Sequence, residues 1–197
     1  MQARERYHHG DLRSALIDAG VDAARLGGEQ AVRLNQLAGQ VGVSASAAYR
    51  HFPEGLEALL VAVGDVGRAE LAARIQERMT AVASDDGPEG ARARFRASGE
   101  AYVEYVTEQP GLFQVASRHD AGRFVAGDPH ALLEACLDDL VSTGVLAPDG
   151  RPWASAAAWA AVHGLAVLLT EGALRRLPER ERRHVVARTL DMVERGL

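Results

Sequence analysis

Between Leu34 and Phe52 the chain carries three small or capping residues at offsets that a DNA-reading helix pair demands. Two helices that cross steeply need a small side chain where they touch, and Ala38 is placed for it. The turn between them needs a residue that tolerates positive φ, which Gly42 supplies. Ser44 follows, an oxygen able to accept an orphan backbone N–H at the start of the second helix. Leu34, Leu37, Val41 and Val43 would anchor the pair to a third helix. The N-terminal end of the second helix is then the part that enters a major groove. Ser44, Ala45, Ser46 and Ala47 are small enough to let its backbone come close to the bases. Tyr49 and His51 can reach phosphates, and Arg50 can reach either phosphate or base.

Other reactive residues form no comparable pattern. The chain has 22 Lys+Arg, and every one is arginine, so a phosphate loop with its lysine and a lysine Schiff base are both excluded. No nucleophile elbow, metal box or glycine-rich phosphate loop occurs, and the expectation is neither a catalytic residue nor an enzyme, with no metal and no cofactor. His8 and His9 are adjacent and share no helix face. His119-Asp120 and Asp128 with His130 bring ligand types together at a spacing that fits no metal motif. Trp159 and His163 lie four apart, on one helix face, and suit either a pocket wall or a core or subunit contact. Tyr102, Val106, Phe113 and Phe124 flank an irregular middle stretch and are the further candidates for lining a small-molecule pocket.

These residues sit on a chain that reads as helical almost throughout, punctuated by proline and glycine and without the strict alternation of a half-buried strand. Leu12, Leu16, Ala19, Ala23 and Leu26 trace one face of a first helix that Gly27-Gly28 stops. A longer helix is expected from near Gly55 to about Ala83, another from Pro88 to Gln109, and a short helix and loop over 111–127. Asp128-Pro129 opens a helix to Gly144, and two more run from about Pro152 to Leu174 and from Pro178 to Glu194. Pro152 to Thr170 holds no charged residue, but its alanines, Ser155, His163 and Thr170 suit a helix buried inside a protein or at a subunit interface better than a membrane span.

Composition agrees with a globular chain: 197 residues, 47% hydrophobic and 25% charged, with Cys136 as its single cysteine, so no internal disulfide forms and a reducing cytoplasm is the expected setting. The start shows no apolar signal region. Net charge is −5, unevenly spread. Residues 1–52 hold six arginines against five acids, whereas the rest holds sixteen against twenty-two. The charge therefore leans mildly toward an N-terminus that faces DNA.

Tyr7-His-His-Gly-Asp-Leu-Arg13, Leu37-Ala38, Gly42-Val43-Ser44 and Tyr49-Arg-His-Phe52 resemble the DNA-binding region of the tetracycline-repressor (TetR) family. Trp159-Ala-Ala-Val-His-Gly164 resembles a regulatory-domain motif of one branch of that family. The resemblance implies an all-helical homodimer that holds double-stranded operator DNA, with a small-molecule effector in the C-terminal domain and the last two helices pairing across the dimer. It places Ser44, Ser46, Ala47, Tyr49 and His51 on DNA-facing positions, and Arg33 at a helix start that meets phosphate. The family carries a phosphate-gripping lysine after the phenylalanine. Here the run is Phe52-Pro-Glu-Gly-Leu-Glu, with Gly55 near that place and only its backbone N–H to offer. Arg4 and Arg6, with His8 and His9, form an arm able to supply the lost charge along the backbone or minor groove.

The expectation is an all-α protein of about nine helices. Residues 1–54 would be a helix-turn-helix head and 55–197 a helical effector-binding and dimerisation domain. Its function would be a repressor of transcription released from its operator by an unidentified small molecule, without a membrane partner. A helical ligand-binding or adaptor protein with weak DNA affinity is the competing reading.

Overall fold

In the computed structural model, residues 9–82, 85–119 and 128–196 are described, with side chains from Leu12 onward. Among these residues the secondary structure is nine α-helices and one 3-10 turn, with no strand. The helices are α1 (His9–Gly27), α2 (Leu34–Gln40), α3 (Ala45–His51), α4 (Leu56–Thr80), α5 (Pro88–Glu108), α6 (Pro110–Arg118), α7 (Pro129–Ser142), α8 (Arg151–Thr170) and α9 (Glu179–Gly196). The 3-10 turn, Glu29–Ala31, follows α1. The all-helical fold is as the sequence implies.

Helix starts follow local chemistry. Proline sits in the first turn of α6, α7 and α8, where its missing N–H costs nothing. The Asp128 side chain accepts the Ala131 backbone N–H at 2.7 Å and caps α7.

The chain divides into two compact units, one of residues 1–68 with 109–123 and the other of residues 69–108 with 124–197. The cut falls inside α4, and the expected boundary at residue 54 lies within the first unit. The first unit's core gathers Leu12, Leu16 and Ala24 of α1, Leu37 and Ala38 of α2, Ala48 of α3 and Leu59 and Val63 of α4. Leu112 and Val115 of α6 join it, so a helix distant in sequence is part of the reading unit's core. The buried stripe of α1 runs Leu12, Leu16, Gly20, Ala24 in steps of four. Leu26, expected on that face, is 91% exposed, because the 3.6-residue turn carries position 26 away from the stripe.

In the second unit α5 is central, packing against α7, α8 and α9. Phe95, Leu137, Leu140, Leu146, Ala154 and Ala158 form its core. Ion pairs tie the surfaces of these helices. Arg94 on α5 holds Asp139 on α7 at 2.7 Å, Arg96 reaches Asp191 and Glu194 on α9 at 2.9 and 3.0 Å, and Arg151 on α8 holds Glu134 and Asp138 on α7 at 2.6 and 2.8 Å. A hydrogen bond from Ser155, helped by Arg151, holds the Glu134 carboxyl below its usual range. Among the described residues, only α8 is long and apolar enough to cross a membrane. It buries Ala154, Ala158, Leu165, Ala166 and Leu169 within its unit.

Candidate functional site

The helix pair α2–α3 forms as its sequence requires. Gly42 takes φ of +77°, and the Val43 N–H returns to the Ala38 carbonyl at 2.9 Å, closing the turn. Ala38 and Ala48 are fully buried where the two helices cross. Ser44 is extended at the N-cap, its Oγ accepting the Ala47 N–H at 3.2 Å and lying 3.0 Å from the Ser46 Oγ.

The residues that the sequence assigned to DNA on and before α3 differ in exposure. Ser44, Ala45, Ser46 and Arg50 are exposed, Ala47 and His51 half-buried, and Tyr49 is 45% exposed. Arg33 stands exposed at the N-cap of α2 and makes no capping bond. Arg4, Arg6 and His8 lie outside the described residues, and of His9 only the backbone is described.

Gly55 departs from expectation. It adopts φ of +76° and donates its N–H to the Phe52 carbonyl at 2.9 Å, closing the corner before α4. That N–H is spent on the turn, so it cannot serve a phosphate as the sequence suggested.

A different cation occupies this corner. The Arg13 guanidinium lies 5.2 Å from the centre of the Phe52 ring, which neighbours Pro53 and Glu54. The sequence reading passed over Arg13 except as part of a motif, since nothing in a one-dimensional pattern brings α1 to Phe52. In the first unit, Arg25, Arg68 and Arg118 are paired with Asp22, Asp65 and Glu29. Arg13, Arg33 and Arg50 are exposed with no carboxylate partner among the described residues. These three guanidinium groups stand on α1, at the start of α2 and on α3, and each is a bidentate fit for phosphate or guanine.

At the end of α6, His119 Nδ1 lies 2.8 Å from Glu57 and Nε2 3.5 Å from Glu29, joining α6 to the start of α4 and to the 3-10 turn. Among the described residues its ionic partners are these two carboxylates, and no group of three metal ligands occurs there.

The second unit contains a cavity of about 40 Å³ bordered by Tyr102, Trp159 and His163. The Tyr102 hydroxyl is 2.9 Å from His163 Nδ1. Trp159 stacks on His163, with centroids 5.5 Å apart and planes 11° apart, and meets Tyr102 edge-on at 5.6 Å. His130 approaches the other edge of the indole at 5.9 Å. Burial holds the His163 imidazole below its usual pKa and pushes the Tyr102 hydroxyl up, so both groups are neutral near pH 7. Of the remaining pocket candidates, Val106 is buried on α5 but does not line this cavity. Phe113 is on α6 in the first unit, away from the cavity lining, and Phe124 lies outside the described residues. The sequence failed at Phe113 because flanking an irregular stretch does not fix which unit an aromatic joins.

Residues 95–193 match a family model described as the tetracyclin repressor-like C-terminal domain. The whole chain is similar to a Rhodococcus sp. RHA1 protein of unknown function, at 28% identity and a TM-score of 0.77 over 98% of this chain and 99% of that one. It shares its fold with PfmR, a TetR family transcriptional regulator from Thermus thermophilus, at 19% identity and a TM-score of 0.61 over 92% of this chain and 98% of that one. No curated protein matches the chain.

Proposed function

The chain belongs to the tetracyclin repressor-like family, and from that premise we propose that it is a DNA-binding regulator of transcription. The observation that carries the reading is the outward face of α3, set on a Gly42 turn and a Ser44 cap, with Arg13, Arg33 and Arg50 exposed and without a carboxylate partner among the described residues. A folded, exposed helix N-terminus with exposed guanidinium groups is what groove entry and phosphate contact require. The protein is a cytoplasmic repressor in this reading, and a small molecule in the second unit releases it from its operator. Ser44, Ala45, Ser46, Ala47, Tyr49, Arg50 and His51 face the groove, while Arg4, Arg6, Arg13 and Arg33 hold phosphate.

The active species is a homodimer whose heads occupy successive major grooves about 34–36 Å apart. Residues 1–54 supply the head, and 55–197 supply effector binding and dimerisation. Within the C-terminal half, Trp159, His163 and Gly164 support assignment to the branch marked by those residues.

A mobility shift with the DNA flanking its own gene tests the proposal. Retardation at low salt that weakens steeply as salt rises is the expected result. A folded dimer that retards none of this DNA at low salt would instead identify a helical ligand-binding or adaptor protein.

A further inference from the structure

We propose that the groove between α5 and α9 is a small-molecule site that takes an organic monocarboxylate, its carboxylate on Arg182 and its apolar body along the two helices.

Shape comes first. At one end the helices close on each other: Arg96 meets Asp191 and Glu194 at 2.9 and 3.0 Å, and a Cβ at Gly99 would lie 2.6 Å from Leu190 Cδ2. Beyond that contact they stand apart and leave a groove of about 540 Å³ that runs to Glu108 and Glu179. Ligand clefts occupy roughly 300–1,000 Å³. Among the described residues this groove shares no lining side chain with the Tyr102–His163 cavity. Val103 on α5 and Val186 and Ala187 on α9 give it apolar surface. The Thr107 hydroxyl donates to the Val103 carbonyl at 2.9 Å within its own helix.

Charge decides the class of ligand. Each carboxylate of the lining is matched by an arginine. Glu100 pairs with Arg96 at 3.2 Å, Glu104 with Arg78 at 2.5 Å, Glu108 with Arg74 at 3.2 Å and Glu179 with Arg183 at 3.1 Å. Arg182 lines the same groove, half-buried, and makes no ion pair among the described residues. Its Nε is buried without a hydrogen-bond acceptor. A guanidinium held partly out of water with a donor unmet is costly. A carboxylate seated on it offsets that cost through charge, and the planar fork suits a carboxylate better than any other small anion with one charge.

The two ends of the groove orient such a molecule. Arg182 precedes Leu190 by eight residues on α9, roughly 12 Å at 1.5 Å per residue. Asp191 and Glu194, gathered on Arg96, stand at the closed end and repel an anionic head there. The head is left the Arg182 end, with the apolar body reaching toward Val186, Ala187 and Val103. An ammonium meets the opposite balance, because the lining carboxylates are already held by arginine and Arg182 repels it.

Full-length protein without DNA is titrated calorimetrically with 4-phenylbutyrate, 4-phenylbutanol and 4-phenylbutylamine, which differ in the head group. The carboxylate is expected to bind tightest, the alcohol at least about tenfold more weakly and the amine weakest. Arg182→Gln should weaken 4-phenylbutyrate by roughly ten- to a hundredfold and leave the alcohol unchanged. Arg182→Lys, which keeps the charge without the fork, should fall between parent and Arg182→Gln. Arg180→Gln removes an exposed arginine outside the groove and should change nothing. Ala187→Phe, which fills the groove, should abolish binding in a protein that melts where the parent does. Three results overturn the proposal: 4-phenylbutyrate bound no tighter than the alcohol, equal losses from Arg180→Gln and Arg182→Gln, or no saturable binding of the acid.

Discussion

Arg13 and His163 show how one side chain takes its role from a partner distant in sequence. Arg13 lies over Phe52 and has no carboxylate partner among the described residues, at the corner where the family's lysine is replaced. Its exposed contact with the ring contributes only about 0.5–1 kcal/mol to the fold. The Arg13→Ala protein should therefore melt almost where the parent does, yet bind DNA less tightly. Its log affinity should fall less steeply with log salt, by about 0.9 for one lost phosphate contact. An unchanged slope, measured by titration at several salt concentrations, would reduce Arg13 to a cover for Phe52.

At His163 burial lowers the pKa in the folded state, with Tyr102 and Trp159 as its ring neighbours and no charged side chain among the described residues of the cavity lining. As pH falls, the unfolded chain takes up this proton first, near its ordinary pKa of about 6.5. Stability linked to His163 is therefore fully present above that pH and is lost as pH drops toward the lower folded value. Denaturant melts of the parent and of His163→Gln between about pH 7.5 and pH 5, a range that brackets the ordinary imidazole pKa, should show the parent losing more stability. Parallel curves would show that the imidazole is not held neutral.

The short helices α2 and α3 illustrate what a sequence can specify about an element. Each has seven residues, too few to stand alone, so their ends and their packing decide whether they form. Ser44→Ala removes the cap and should cost about 0.5–2 kcal/mol, with faster hydrogen exchange at the Ala47 amide, and Ser44→Asp should recover most of it. A Cβ at Gly42 meets no atom within 4 Å, so Gly42→Ala is resisted by backbone conformation alone. The expected penalty is roughly 1–2 kcal/mol, smaller for Gly42→Asn, read from denaturant melts. If alanine and asparagine cost the same, the strain lies elsewhere.

These two positions were legible because turn and cap chemistry is local. The placement of α6 was not. Leu112 and Val115 complete the core around α1 and α4, and Phe113 lies in that unit rather than at the cavity. That arrangement is set by chain topology, which periodicity over a single short helix does not encode. Gly55 misled for a related reason, because the same glycine that suits a phosphate also suits a turn that consumes its N–H.

On the scale of the whole molecule, the proposed homodimer needs one stable pairing surface, and the last two helices each carry an exposed apolar group suited to it. Leu168 on α8 is 45% exposed and Met192 on α9 is 68% exposed. Neither is needed by the unit's own core, in which α8 uses Ala158 and Leu165 and α9 uses Leu190. Burying both groups against a second copy would add hydrophobic stabilisation that the monomer forgoes. Leu168→Glu with Met192→Glu would place carboxylates of like charge in that surface and leave the interior of each unit untouched. Sedimentation should show a dimer for the parent, as the proposed pairing requires, and a folded monomer for the variant. With one head instead of two on a near-palindromic operator, affinity should fall by about 10²-fold or more, through lost effective concentration and not through any change at α3. A variant that remains dimeric would move the pairing surface to other helices. A monomer that binds the full operator as tightly as the parent would remove the two-head mechanism and leave each α3 to read DNA by itself.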